Sequence, residues 1–189
     1  MQKKWSFSVS KVKRLLDSYG SFIDVPWRDD VAPAQRVIFC VYPEYDELRL
    51  RACLDEFEIA TRRSGHDWAK FDLTDSFAAW MASQKYAKSY FRDPATLATL
   101  LGKYEDDIAS RFESFCTDKG VGEGDVVAVS GVGSLFGFLR VKGVVDRLAP
   151  MVPGRLVVFF PGSYEDNNYR LLDAYDGWGY LAIPITADQ

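Results

Sequence analysis

The apolar run Val126-Val-Ala-Val-Ser130 passes directly into Gly131-Val-Gly133. No other stretch restricts the fold as much. Four apolar residues make a short buried strand, and a residue without Cβ lets the chain turn tightly off a strand and lets the next element pack close to the sheet. Leu135, Phe136, Leu139, Val144, Val145 and Leu148 follow at helical spacings. A second strand, Arg155-Leu-Val-Val-Phe-Phe160, then ends in Pro161-Gly162-Ser163-Tyr164. Strand, glycine turn, helix and strand in that order is the sequence form of a βαβ unit, which sets its two strands parallel.

The same alternation runs through the rest of the chain. Arg36-Val-Ile-Phe-Cys-Val-Tyr42 is a continuous apolar run of the kind a fully buried parallel strand shows, and Pro43 stops it. The spacing predicts a helix from Glu44 to Arg63 with Leu50, Cys53, Leu54, Phe57 and Ala60 on one face. Trp68 to Leu73 reads as a second strand, and Thr74-Asp75-Ser76 as the cap of a helix over Phe77 to Gln84. Asp93-Pro94 opens what reads as the longest helix, striped by Leu97, Leu100, Leu101, Tyr104, Ile108, Phe112 and Phe115. After Pro161-Gly162, read as a rigid turn, come a short apolar stretch at Tyr169 to Leu172 and a last strand over Tyr180 to Ile185. The expected fold is α/β: a single domain with a mostly parallel sheet of about five strands, covered by helices on both faces. Residues 1–34 read as an N-terminal basic helix and connecting loop, and residues 35–189 as the α/β core. That helix is expected to begin near Ser8 or Ser10 and to run about three turns, with Val9, Val12, Leu15, Leu16 and Tyr19 on its apolar side.

Bulk properties exclude several classes. The 189 residues suffice for one sizeable core, and 48% hydrophobic content is far from disorder. A formal net charge of −4 argues against a nucleic-acid coat protein. No apolar run approaches the ~18–20 residues that span a bilayer. The odd and scattered Cys40, Cys53 and Cys116 read as reduced core residues of a cytoplasmic protein.

Chemistry is sparse. One histidine, His66, in a turn sequence, and no CxxC pair leave no tetrahedral metal site, so no metal is expected. Ser134 lacks the flanking glycines of a nucleophile elbow. Gly131 and Gly133 supply two glycines of a dinucleotide fingerprint, but Gly137 is displaced by one position, and Phe159-Phe160-Pro161 stands where an acid is needed. The element order also suits a P-loop NTPase core. Its phosphate loop, however, is here Pro43-Glu-Tyr-Asp-Glu47, with three acids and neither glycine nor lysine, so such a core would be degenerate and bind no cofactor. Gly131 and Gly133 then remain as structural turn residues. Phe160, Pro161, Gly162 and Tyr164, with Arg140, are candidate partner-binding residues, since an aromatic turn at a strand's carboxyl end lies where α/β proteins bind. Lys3, Lys4, Lys11, Lys13 and Arg14, near Trp5 and Phe7, are either contacts for phosphates or a partner, or a solvated helix face. No catalytic residue emerges. A divergent nucleotide-binding or phosphoryl-transfer protein using the crevice near Gly131 and Pro161 is the alternative.

Gly131-Val-Gly133-Ser-Leu-Phe136-Gly-Phe-Leu139-Arg140, then Leu148 and Val158-Phe-Phe-Pro161-Gly162-Ser-Tyr164, together resemble the C-terminal signature of the BrxB family of BREX bacteriophage-exclusion systems, with similarity from Arg36 to about Ile185. The chain departs from that pattern with Gly137 in place of proline, Ser163 in place of an acid, and Gly179-Tyr180-Leu181 where the family closes with Tyr-Tyr-Arg. The resemblance implies a small non-enzymatic component of a multi-protein defence complex, acting beside a methyltransferase and an ATPase. It implies the alkaline-phosphatase-like protein PglZ as direct partner.

Overall fold

An apolar hexapeptide can be buried at every position only where both faces of its strand are covered, and Val37–Tyr42 is buried throughout. The computed structural model describes residues 3–28, 30–174 and 177–187, with side chains from Lys11 onward. Its order is helix α1 (Lys3–Ile23), strand β1 (Val37–Tyr42), α2 (Glu47–Ala52), α3 (Leu54–Arg63), β2 (Asp67–Asp72), α4 (Ser76–Ser83), α5 (Ala87–Arg92), α6 (Leu101–Lys119), β3 (Asp125–Ser130), α7 (Val141–Leu148), β4 (Arg155–Glu165), β5 (Asn168–Leu171) and β6 (Ile183–Ile185). The sheet runs β2-β3-β4-β1-β6 with every neighbour parallel, and β5 pairs antiparallel with the far half of β4. The expected parallel α/β sheet is present, with six strands, and the three apolar runs are neighbours in the order β3-β4-β1.

Side-chain alternation sorts the core into two layers. Ile38, Cys40, Tyr42, Val126, Ala128, Val157 and Phe159 face α1, α2 and α3, meeting Val12, Leu15, Tyr19, Ile23, Leu50 and Phe57. Val37, Phe39, Val41, Val127, Val129, Leu156, Val158 and Phe160 face the other way, onto Tyr104, Ile108 and Phe112 of α6, Val144 and Val145 of α7, and the β5 hairpin. Helix α1 is therefore a wall of the core rather than an appendage, and the Tyr19 hydroxyl is tied to Thr61 at 2.5 Å. At the amino ends of β2 and β4, Trp27 stacks on His66 at 3.7 Å and lies 4.6 Å from the Arg155 guanidinium. His66 thus has a packing role beyond that of a turn residue.

Several boundaries differ from the sequence reading. Helix α1 extends through 21 residues to Ile23 and exceeds α6, which has 19. The segment Glu44 to Arg63 is a short 3-10 turn followed by two helices, broken at Cys53 where the backbone N–H bonds Leu50 O in a tighter turn. Pro94 opens a 3-10 segment, Pro94–Leu100, and α6 starts only at Leu101. Leu135 to Leu148 is not one helix: a 3-10 turn, Val132–Leu135, stops before Gly137 at φ +79°, and the helix begins at Val141. Pro161-Gly162 is not a turn. Strand β4 continues through it to Glu165, and the reversal comes at Asp166 and Asn167, both with positive φ. A Cβ on Gly162 would collide with the Arg170 carbonyl of the facing strand, so this hairpin needs glycine there. The last strand is limited to Ile183–Ile185.

Because Val158 is fully buried at the middle of β4, we expect Val158→Asp to lose soluble expression and cooperative thermal unfolding. An unpaired core charge costs several kcal/mol against a total stability of about 5–15 kcal/mol. Circular dichroism melting of any soluble material checks this.

Candidate partner-binding surface

Ligands in parallel α/β sheets sit beyond the carboxyl ends of the strands. Several polar side chains at these ends are bonded to one another. The Tyr42 hydroxyl at the end of β1 donates to Glu47, whose other oxygen accepts Arg51 Nε at 2.6 Å. Arg51 Nη2 donates to Thr74 Oγ1 at 2.6 Å, and that hydroxyl donates to Asp72 Oδ1 at 2.5 Å, beside a second bond from Thr74 N at 2.9 Å. Burial pushes the Asp72 carboxyl up, but the Thr74 bonds, Arg51 and neighbouring Ser130 together bring it below the usual carboxylate range. The Tyr42 phenol goes the other way, raised by burial and by Glu47. In the loop after β1, Asp46 is buried and paired with Arg49 at 2.8 Å.

The glycine turn seals the other side. Gly131 has φ +75°, and a Cβ there would stand 2.5 Å from Thr74 N and 2.8 Å from Asp72 Oδ1. Any other residue would force β2 and β3 apart at their ends. A Cβ on Gly133 would lie 3.4 Å from Pro161. The Ser134 hydroxyl donates to the Leu73 carbonyl at 2.8 Å and is committed to the backbone. Burial raises the thiols of Cys40, Cys53 and Cys116, the last to about 11, which keeps them protonated at neutral pH.

The five partner-binding candidates separate. Phe160 and Pro161 are interior, with Phe160 at 0% exposure. This corrects their reading as surface contacts: Phe160 is the floor of an aromatic stack, 5.4 Å from Phe39, 5.9 Å from Tyr169 and 6.1 Å from Trp178. Gly162 is half-buried against β5, and Tyr164 is half-buried against Tyr169 at 4.6 Å with its hydroxyl on Asn167 at 2.7 Å. Arg140 is exposed at the start of α7. Of the basic residues, Lys13 and Arg14 are exposed and Lys11 is half-buried on α1, while the side chains of Lys3, Lys4, Trp5 and Phe7 lie outside the described residues.

Two adjoining concavities hold the accessible part of this region. One, about 430 Å³, is lined by Phe136, Leu139, Arg140, Leu171 and Trp178. The other, about 700 Å³, is lined by Tyr164, Asn167, Tyr180, Leu181 and Asp146. Lys142 borders both, 5.6 Å from the Tyr180 ring centroid and 2.7 Å from Asp146. Trp178 is held in place by two backbone bonds to Tyr169, and Phe136 and Leu181 are 44% and 74% exposed. The sequence reading missed Phe136, Trp178, Tyr180 and Leu181. Gly177-Trp178-Gly179 was the only available signal, because an aromatic between two glycines marks a close backbone approach as well as a turn.

The BREX protein BrxB family model matches residues 74–182. The chain belongs to the BrxB family. It is therefore a component of a BREX phage-exclusion system. The matched stretch runs from the helix after β2 to the edge of β6, narrower than the Arg36 to Ile185 similarity read from the motifs, and it contains both concavities apart from Ala34, Ile183 and Pro184. No curated protein and no solved structure matches the chain.

Since Asp72 has a lowered folded pKa, its contribution to stability is full above the ordinary aspartate value and is lost as pH falls through the lower folded value. We expect Asp72→Asn to melt below the BrxB-family wild type at neutral pH, with the gap closing in acid. Thermal melts across a pH series check the sign.

Proposed function

We propose that this BREX component works as a non-enzymatic adaptor, binding a PglZ-like defence protein through the paired concavities around Lys142. The observation that carries the reading is the contrast between two neighbouring regions. The carboxyl-end crevice is packed with Glu47, Arg51, Thr74 and Asp72 bonded to one another, whereas the surface beside it presents open aromatic and apolar side chains with Arg140 at its rim. Tryptophan, tyrosine and arginine are the side chains that most often dominate protein interfaces. The stack of Phe39, Phe160 and Tyr169 beneath holds Trp178 in position before binding, which lowers the ordering cost of association. Glu44, exposed in the loop after β1, puts an acid where a phosphate loop would stand. The setting is the cytoplasm, where the other BREX components meet host and phage DNA.

Arg140→Glu combined with Leu181→Asp changes two exposed residues and should shift the melting temperature little, since such surface changes stay within about 0.5 kcal/mol. Expressed in a host carrying the whole operon, the tagged double variant should no longer co-purify PglZ and should lose phage protection. Retained co-purification and protection would place the partner surface elsewhere. Calorimetry with magnesium and ATP should give no binding isotherm; micromolar affinity would replace the adaptor reading with the nucleotide-binding one.

A further inference from the structure

A second surface lies between α4 and α6. From Ser76 to Arg92 the chain has no acid and three cations, Lys85, Lys88 and Arg92, in a protein whose formal net charge is −4. All three are exposed, and among the described residues none joins an ion pair. In α5 the residues Ala87 and Tyr90 pack against the core. Lys88 and Arg92, four positions apart on α5, therefore share the outer side, and Lys85 lies in the turn that leads into the helix. Large aromatics flank this row: Tyr86 is 57% exposed and Phe91 72% exposed. The Lys85 ammonium sits 5.3 Å from the Tyr86 ring centroid. The following segment, Pro94–Leu100, has no fully buried residue.

Like charges four apart on a helix repel by a few tenths of a kcal/mol, and exposed rings forgo burial. Both costs are recovered by a ligand that brings phosphates and flat apolar faces together. We propose that residues 85–92 bind single-stranded nucleic acid, its phosphates along Lys85, Lys88 and Arg92 and its bases stacked on Tyr86 and Phe91. Duplex hides the base faces, so it engages the cations alone. An acidic peptide likewise leaves the rings unused. A membrane surface needs a continuous apolar helix face turned outward; on α5 Ala87 and Tyr90 face the core, and Phe91 is a single exposed ring between Lys88 and Arg92.

Fluorescence anisotropy on the full-length protein tests this with labelled oligothymidine and with a duplex of equal length, each at low and raised salt. The expected result is tighter binding of the single strand, weakening as salt rises. Lys85→Glu, Lys88→Glu and Arg92→Glu together should lose at least roughly tenfold and flatten the salt dependence. Tyr86→Ala with Phe91→Ala should weaken the single strand several-fold while leaving its salt slope and duplex binding unchanged. If the triple variant fails to fold, Lys88→Glu alone is read. Absence of binding at low salt, equal affinity for duplex, or displacement by polyglutamate with no effect of the aromatic changes would overturn the proposal, the last in favour of an acidic protein partner. Because these substitutions spare the concavities around Lys142, co-purification of PglZ should persist.

Discussion

Strand β4 is the constraint on which the rest depends. Its first half pairs with β3 on one side and β1 on the other, from Val126↔Arg155 to Val129↔Val158 and from Val37↔Leu156 to Tyr42↔Pro161. A strand so enclosed must be apolar on both faces, and Leu156 to Phe160 is. The β3 ladder ends at Val158, before Pro161, so the proline's missing N–H takes nothing from that edge. Beyond it the strand leaves the parallel sheet and pairs with β5, using Gly162 where the Arg170 carbonyl comes too close for a side chain.

That continuation decides what becomes surface. Carrying the hairpin over the face that holds Phe39 and Phe160 covers both rings and places Tyr169 and Trp178 above them. The Tyr169 hydroxyl then bonds the Ala182 carbonyl at 3.0 Å, pinning the chain as it enters β6. A region rich in aromatics thereby divides into a rigid floor and an accessible rim. Among the described residues of that region, Phe136, Arg140 and Leu181 stand exposed at the rim.

The same logic explains the carboxyl-end crevice. Asp72 at the end of β2, Thr74 just after it, Arg51 from α2 and Glu47 at the start of α2 form one bonded series, closed from the far side by Gly131. Acid and base alternate along it, so the charges within this series are compensated.

Parallel strands, their apolar content and the glycine turn were legible in the residues, because burial on both faces demands unbroken apolar runs and a tight exit from a strand demands glycine. Gly131 was legible for that local reason, and the family in its motifs. The path of the chain after Phe160 was not. Pro-Gly is a turn signal in isolation, and only the facing strand β5, with its register on Gly162, makes it extended. Nor could pattern alone separate Phe160 from Leu181, one wholly buried and the other 74% exposed, since both are simply apolar. Sequence sets which side chains must avoid water or bend the backbone. Which of them remain exposed depends on what packs above them, and that is decided by contacts between residues far apart in the chain.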